Sequence, residues 1–285
     1  MEKIEPDMII DEKDITEVQC IAEKAGEMIS EYYRSQEFAT ELKKDFSPLT
    51  DADKASNRHI VSELKRLFPQ IPVISEESEL PDYRSRSAWK RLWIVDPLDG
   101  TQEFIHRIGR FCVNIALIEG KKPVFGMINV ISDGEILWGL RGKGCFISRD
   151  GRTEMLQPRP RTGKLRIAVS RFHVTEKELQ YIDHLQERGR EVEIVPLGAS
   201  SKYCMMAKGE IDLLPKFGPC SEWDVAAGQV IVEATGGAIA CVESGKAMEY
   251  NKPSMLVPPF IVFGKRVREM ILDGNTDFQW KVDVK

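Results

Sequence analysis

The residues in this sequence best equipped for chemistry are acidic, and they fall in three places. Glu76 and Glu77 directly follow the apolar run IPVIS, Asp96 and Asp99 lie in WIVDPLDGT after LWIV, and Asp224 opens the stretch EWDVAAGQVIVEATGG. Carboxylates at element ends can converge on a cleft. A convergent, oxygen-only set suits Mg²⁺, which keeps waters and substrate phosphate as its remaining ligands. Plainer readings compete: a Glu pair after a strand is commonly a solvated loop, and Asp224, three residues after Ser221, fits a helix cap. DPLDGT is more specific. Pro97 fixes its own φ and restrains Asp96, so the turn is stiff, and Asp96, Asp99 and the Leu98 carbonyl can address one point. The backbone N–H groups of Gly100 and Thr101 could receive a phosphate oxygen, and the Thr101 hydroxyl could hold a water. A purely structural turn is the alternative.

The elements that must position these groups are legible as periodicity. Ile15, Val18, Ile21, Ala22, Ala25, Met28, Ile29 and Tyr32 recur at helical spacing over residues 14–34, with Asp14 and Glu17 resembling a capping box. ELKKDFSPLTDAD is polar and reads as a loop, leading into a helix from about Asp51 that stops before Pro69. Short apolar runs at 71–75, 92–95, 111–119, 124–131 and 135–139 read as strands joined by turns such as GKKP and SDGE. QPRPRTGK (157–164) is the best candidate for a boundary between an N-terminal lobe, 1–160, and a C-terminal lobe, 161–285. Beyond it the strands LRIAVS, EVEIVPL, IDLLP, AIACV and FIVFG alternate with helices over about 175–188, 200–208 and 222–234 and a last short one. The alternation argues for layered α/β architecture.

Composition excludes several function classes. The 285 residues are 42% hydrophobic and 30% charged, and 40 basic against 45 acidic residues leave a net charge of −5. That is an ordinary globular make-up, without the general basic surface that a nucleic-acid polymer requires. No stretch approaches the ~18 apolar residues of a membrane span, and the acidic start lacks an apolar secretory core, so a cytoplasmic protein is expected. The six cysteines are scattered without a C-x-x-C pair and read as reduced, mostly buried thiols. Four histidines without H-E-x-x-H make a histidine metal site improbable. A metal here must be held by carboxylates.

WIVDPLDGT, preceded by ISEES and followed by SEWDVAAGQVIVEATGG, resembles the lithium-sensitive, Mg²⁺-dependent inositol monophosphatase superfamily. SPLTDAD, DPLDGTQEFI, SRFH and GASSKYCMMAKGEIDLLPKFGP are most similar to its 3′(2′),5′-bisphosphate nucleotidases of the CysQ type. The resemblance implies an α-β-α-β-α layered sandwich of the inositol monophosphatase/fructose-1,6-bisphosphatase type, with the site between two lobes. It assigns Glu76, Asp96, the Leu98 carbonyl and Asp99 to metal, with Asp224 closing the site from the second lobe and Glu77 beside the metal rather than on it. Asp53 would polarise Thr101, which orients an attacking water activated by Glu76 and metal. Two or three Mg²⁺ and inhibition by Li⁺ are implied.

On substrate, the resemblance places Ser170, His173, Gly198 and Lys202 at nucleotide-contact positions, beside Leu98, Asp99, Gly100, Thr101 and Asp224. Arg171 and Lys216 are further candidates. Lys202 as a solvated helix lysine and His173 as a surface histidine are the competing readings. The sequence departs from the CysQ-type pattern at Gln102, where a lysine is frequent, and at Lys216, where an arginine often precedes FGP. The expected activity is removal of the 3′-phosphate of adenosine 3′,5′-bisphosphate to give AMP. Inositol or sugar phosphates are the alternative substrates, and a catalytically silent nucleotide-binding regulator is the alternative class. The expected partner is a small nucleotide, with a monomer or homodimer and loose attachment to the inner membrane both left open.

Overall fold

The computed structural model describes residues 10–43 and 47–274; the first nine residues of the acidic start lie outside them. In chain order the first half contains α1 (Glu12–Ser35), β1 (Thr40–Leu42), β2 (Pro48–Thr50), α2 (Asp51–Leu67), β3 (Val73–Ser75), α3 (Tyr83–Arg86), β4 (Arg91–Asp99), α4 (Thr101–His106), β5 (Cys112–Glu119), β6 (Lys122–Val130), β7 (Glu135–Leu140), β8 (Gly144–Arg149) and β9 (Arg152–Met155). The second half contains β10 (Leu165–Ser170), α5 (Glu176–Glu187), β11 (Val192–Leu197), α6 (Ser201–Ala207), β12 (Leu213–Lys216), α7 (Glu222–Ala234), β13 (Ala238–Cys241), β14 (Phe260–Phe263) and α8 (Lys265–Leu272).

Two sheets organise the chain. Strands β3 to β9 form a seven-stranded sheet in sequential order, and a five-stranded sheet runs β11-β10-β12-β14-β13. Three apolar cores fill the spaces between layers. Ile15, Val18, Ile29, Ile60 and Leu64 of α1 and α2 pack on Trp93, Val95, Val113 and Ile115 of the large sheet. Tyr203 of α6 and Val225, Ala227 and Ile231 of α7 lie between Ile94, Ala116 and Ile128 of that sheet and Leu214, Phe260 and Val262 of the small one. Tyr181, Ile182 and Leu185 of α5 and Val267 of α8 cover the small sheet's far face. The order is α-β-α-β-α, as the alternation and the resemblance led us to expect.

The middle helix, α7, is apolar nearly all round, as a helix enclosed by two sheets must be. It lies unusually close to β6: a Cβ on Gly126 would stand 2.5 Å from the Ala227 carbonyl oxygen. Only a glycine lets the helix settle there. Since Asp224 sits in the first turn of α7, this close approach fixes how far that carboxylate reaches from the sheet.

Four local expectations need correction. The capping box of α1 is Asp11 with Asp14, whose carboxylates accept each other's backbone N–H at 2.8 and 3.3 Å, so the helix starts earlier than Asp14 and Glu17 suggested. The polar stretch 41–53 is not all loop, because β1 and β2 pair antiparallel within it, Thr40 opposite Thr50. DPLD is not a turn after the strand but its final segment. The register passes from Asp96 opposite Asn114 to Asp99 opposite Cys112, so β4 carries one extra residue there. Such a bulge re-aims side chains, and it tolerates Pro97, which has no N–H to give the ladder. Finally, the short strands β8 and β9 and the short helices α3 and α4 carried too little periodicity to be read.

Candidate active site

Three elements deliver the acidic groups. Glu76 follows β3, and its N–H donates to the Val95 carbonyl at 3.1 Å, extending the pairing with β4. Asp96, Leu98 and Asp99 come from the bulge of β4. Asp224 stands three residues beyond Ser221, the N-cap of α7, and one of its oxygens accepts the Ser221 N–H at 2.8 Å and the Cys220 thiol at 3.3 Å. The helix-cap reading therefore holds for this residue, and capping uses only one of its two carboxylate oxygens. Glu76, Asp96 and Asp224 each present an oxygen within 4.8 Å of the others.

Asp99 is placed beside this trio rather than within it. Its Oδ2 accepts from Asn114 Nδ2 at 3.1 Å and from the Ser200 hydroxyl. The Leu98 carbonyl lies 3.1 Å from the Thr101 hydroxyl, which is also 3.1 Å from Asp53 Oδ1 and has one proton to donate between them. Asp53 is itself immobilised: its other oxygen accepts the Thr50 N–H at 2.7 Å and the Thr50 hydroxyl, forming the capping box of α2. Gly100 precedes α4 at φ +91°, a left-handed conformation natural to glycine alone. It lets the chain leave the bulge sharply enough for Thr101 to face back toward Leu98.

Burial sets the electrostatics. It pushes the Asp96 carboxyl well above its ordinary range, with Glu76, Asp99 and Asp224 adding repulsion. Asp224 is raised to about 7 by burial and by Asp99 and Glu76. Glu77 is likewise raised to about 7, chiefly by burial, while its bond to Lys43 pulls the other way. Lys43 donates to both Glu76, at 2.6 Å, and Glu77; burial opposes its charge, but the two carboxylates outweigh that and hold the proton more firmly. A buried set of hard oxygen donors that repel one another, relieved in part by Lys43, is suited to a small divalent cation.

The expected nucleotide contacts gather around the ends of β10 and α4. Ser170 accepts the His173 N–H at 3.1 Å. Burial lowers the His173 pKa, and the nearby Lys216 and Lys202 lower it further, so a neutral imidazole stands beside two lysines here. Lys216 is buried, and among the described residues no ion pair reaches its ammonium. Gly198 differs from expectation. The space a Cβ would take there is filled by the Glu103 carboxylate at 1.8 Å, so its openness admits Glu103 rather than a ribose or base.

Lys43, Asn114, Ser200, Cys220 and Glu103 were not picked out from the sequence. Asn114 had a signal, being the lone polar residue in FCVNIALI. A cavity of about 800 Å³ lined by Arg110, Glu135, Arg149 and Lys208 shares no residue with the acidic cluster, and its central Glu135 is already paired with Arg149 and Lys208.

Comparison with known proteins bears on all of this. The model of the inositol monophosphatase family matches residues 11–272. The 3′(2′),5′-bisphosphate nucleotidase CysQ of Salmonella typhimurium is 38% identical over 246 residues, 85% of this chain and 96% of the relative. Among solved structures, CysQ from Bacteroides thetaiotaomicron, described as a bacterial member of the inositol monophosphatase family, superposes with a TM-score of 0.78 and 35% identity, covering 89% of this chain and 98% of that one. An inositol monophosphatase/NADP phosphatase complexed with Mg²⁺ and phosphate shares the fold at a TM-score of 0.71 and 21% identity, covering 94% and 98% of the two chains.

Proposed function

The chain belongs to the inositol monophosphatase family, and from that premise we propose that it is a 3′(2′),5′-bisphosphate nucleotidase, a phosphomonoesterase that converts adenosine 3′,5′-bisphosphate to AMP and phosphate. The observation that carries the reading is the meeting of Glu76, Asp96 and Asp224, from β3, β4 and α7, within 4.8 Å. Members of the family use Mg²⁺, and the donor set fits that ion. Glu76, Asp96 and Asp224 would hold it, with Asp99 and the Leu98 carbonyl completing a site for two or three ions. When bound, Mg²⁺ supplies positive charge to the phosphate oxygens and lowers the pKa of a water.

The chain's own groups supply positioning, which is most of what phosphoryl transfer demands. Thr101, held by Asp53, presents its hydroxyl oxygen as an acceptor and orients the attacking water. Glu76 takes that water's proton. Lys202 and Lys216 neutralise the phosphate that is not cleaved, and Ser170 and His173 hydrogen-bond to it. Within this scheme the segments 1–160 and 161–285 act as two lobes, the second contributing Asp224 and the nucleotide contacts.

Phosphate release from a panel tests the reading: adenosine 3′,5′-bisphosphate, its phosphosulfate analogue and inositol monophosphate, each with Mg²⁺ and with chelator. Release from the adenosine bisphosphate should dominate, vanish in chelator, and fall on addition of Li⁺. Activity surviving excess chelator would remove the metal mechanism. A preference for inositol phosphate would replace the substrate and leave the site standing.

A further inference from the structure

Beside the cationic cluster lies a feature that phosphate binding does not use. The loop leaving β10 and the end of α4 abut: the Arg171 guanidinium comes within 3.8 Å of where a Gly109 side chain would begin. Across this junction the Phe172 ring stands 5.9 Å from the His106 imidazole, the planes inclined by 38°. Both rings are exposed, Phe172 at 40%, and they are flanked by Ile108 at 42% and Val174 at 41%. Single exposed apolar residues are ordinary on a protein surface. Three of them with an imidazole, gathered on two touching loops next to Arg171, His173, Lys202 and Lys216, are not a random scatter.

The arrangement has the polarity of a nucleotide. The helix that ends in His106 begins at Thr101, whose hydroxyl bonds to Asp53 and the Leu98 carbonyl. Five residues of helix advance about 8 Å, which is of the order of the span from a nucleotide's phosphate to its base. Acidic metal-type donors lie at one end of α4, cations beside it, and π-faces at the other.

We propose that Phe172, supported by His106, is the platform on which the base of the substrate stacks, and so a specificity-determining residue. This rests on the nucleotidase reading above. Stacking on an aromatic face tolerates any base, so the platform selects for a nucleoside over a bare sugar or cyclitol rather than for adenine over guanine.

The test compares adenosine 3′,5′-bisphosphate with an abasic ribose 3,5-bisphosphate, alongside calorimetric binding of AMP. Wild type should favour the nucleotide. Phe172→Ala should raise the KM for the nucleotide and the Kd for AMP by roughly 5- to 100-fold, with kcat and the abasic substrate little changed. Phe172→Tyr should retain the preference, whereas Phe172→Leu, apolar but not aromatic, should lose most of it. The residue is exposed, so each variant is expected to fold. Equal effects of Phe172→Ala on both substrates, or none on either, would overturn the platform while leaving the nucleotidase intact. A wild type indifferent to the base would overturn the nucleotide reading itself, and the platform with it.

Discussion

Asp96 is the most enclosed carboxylate of the cluster, 2% exposed and surrounded by Glu76, Asp99 and Asp224. Its ionised form is therefore costly without a cation. Asp96→Asn removes that charge at nearly constant volume, so the metal-free variant should melt no lower than wild type. Phosphate release should nonetheless fall by roughly 100-fold or more, and Mg²⁺ should no longer raise the melting temperature by the wild-type amount. Glu77 sits outside the trio, held by Lys43, and Glu77→Gln should cost only about 10-fold. Equal losses at Glu76 and Glu77 in parallel kinetics would show that the pair is wrongly divided. The carboxylates themselves were readable because DPLDGT packs several oxygen donors and a stiffening proline into six residues. Their pairings were not: Lys43 reaches Glu76 across 33 residues and Asn114 meets Ser200 across 86, and even where a lone polar residue stands out in an apolar run, as Asn114 does, nothing local names its partner.

At the scale of elements, the placement of Asp224 depends on how α7 lies against β6. Gly126→Ala would bring a methyl to 2.7 Å from the Ala227 Cα, between two backbones that cannot both stay where they are. Overpacking of this kind costs about 1–3 kcal/mol. The helix must also lift from the sheet and carry its first turn with it. The expected outcome is a modest fall in denaturant midpoint together with a disproportionate loss of kcat and a weaker apparent affinity for Mg²⁺. Normal metal affinity in a destabilised Gly126→Ala would break the link between packing and site. The long elements were legible for the same reason they are stable: α1, α2 and α5 bury one face with regular period, and the central strands are continuous apolar runs buried on both faces. The bulge in β4 escaped because Asp and Pro both argue locally for a turn. Only the ladder to β5, a contact between distant residues, keeps the segment in the sheet.

Over the whole molecule the raised carboxylates link pH to stability. Asp224 and Glu77 titrate near 7 in the folded chain, against about 4 when unfolded, so the metal-free fold binds protons more tightly than the unfolded chain does. The stabilisation this gives is complete below about pH 4 and is lost as the pH rises through about 7. Metal works in the opposite sense, since it requires the deprotonated groups. Metal-free protein should thus melt lower at about pH 8 than at about pH 5.5, and Mg²⁺ should recover at least about 5 °C at the higher pH and far less at the lower. A melting temperature indifferent to chelator at the higher pH would refute the linkage. The layer order has a different consequence. The chain passes from one sheet to the other between Met155 and Leu165, yet the core between the sheets takes residues from both sides of that passage. Severed there, the protein would become two fragments, each with half of a common interior bare to water and each lacking part of the acidic cluster. Neither is a portable module. Their reassociation would restore interior and cluster together, making hydrolysis a direct reporter of fragment complementation.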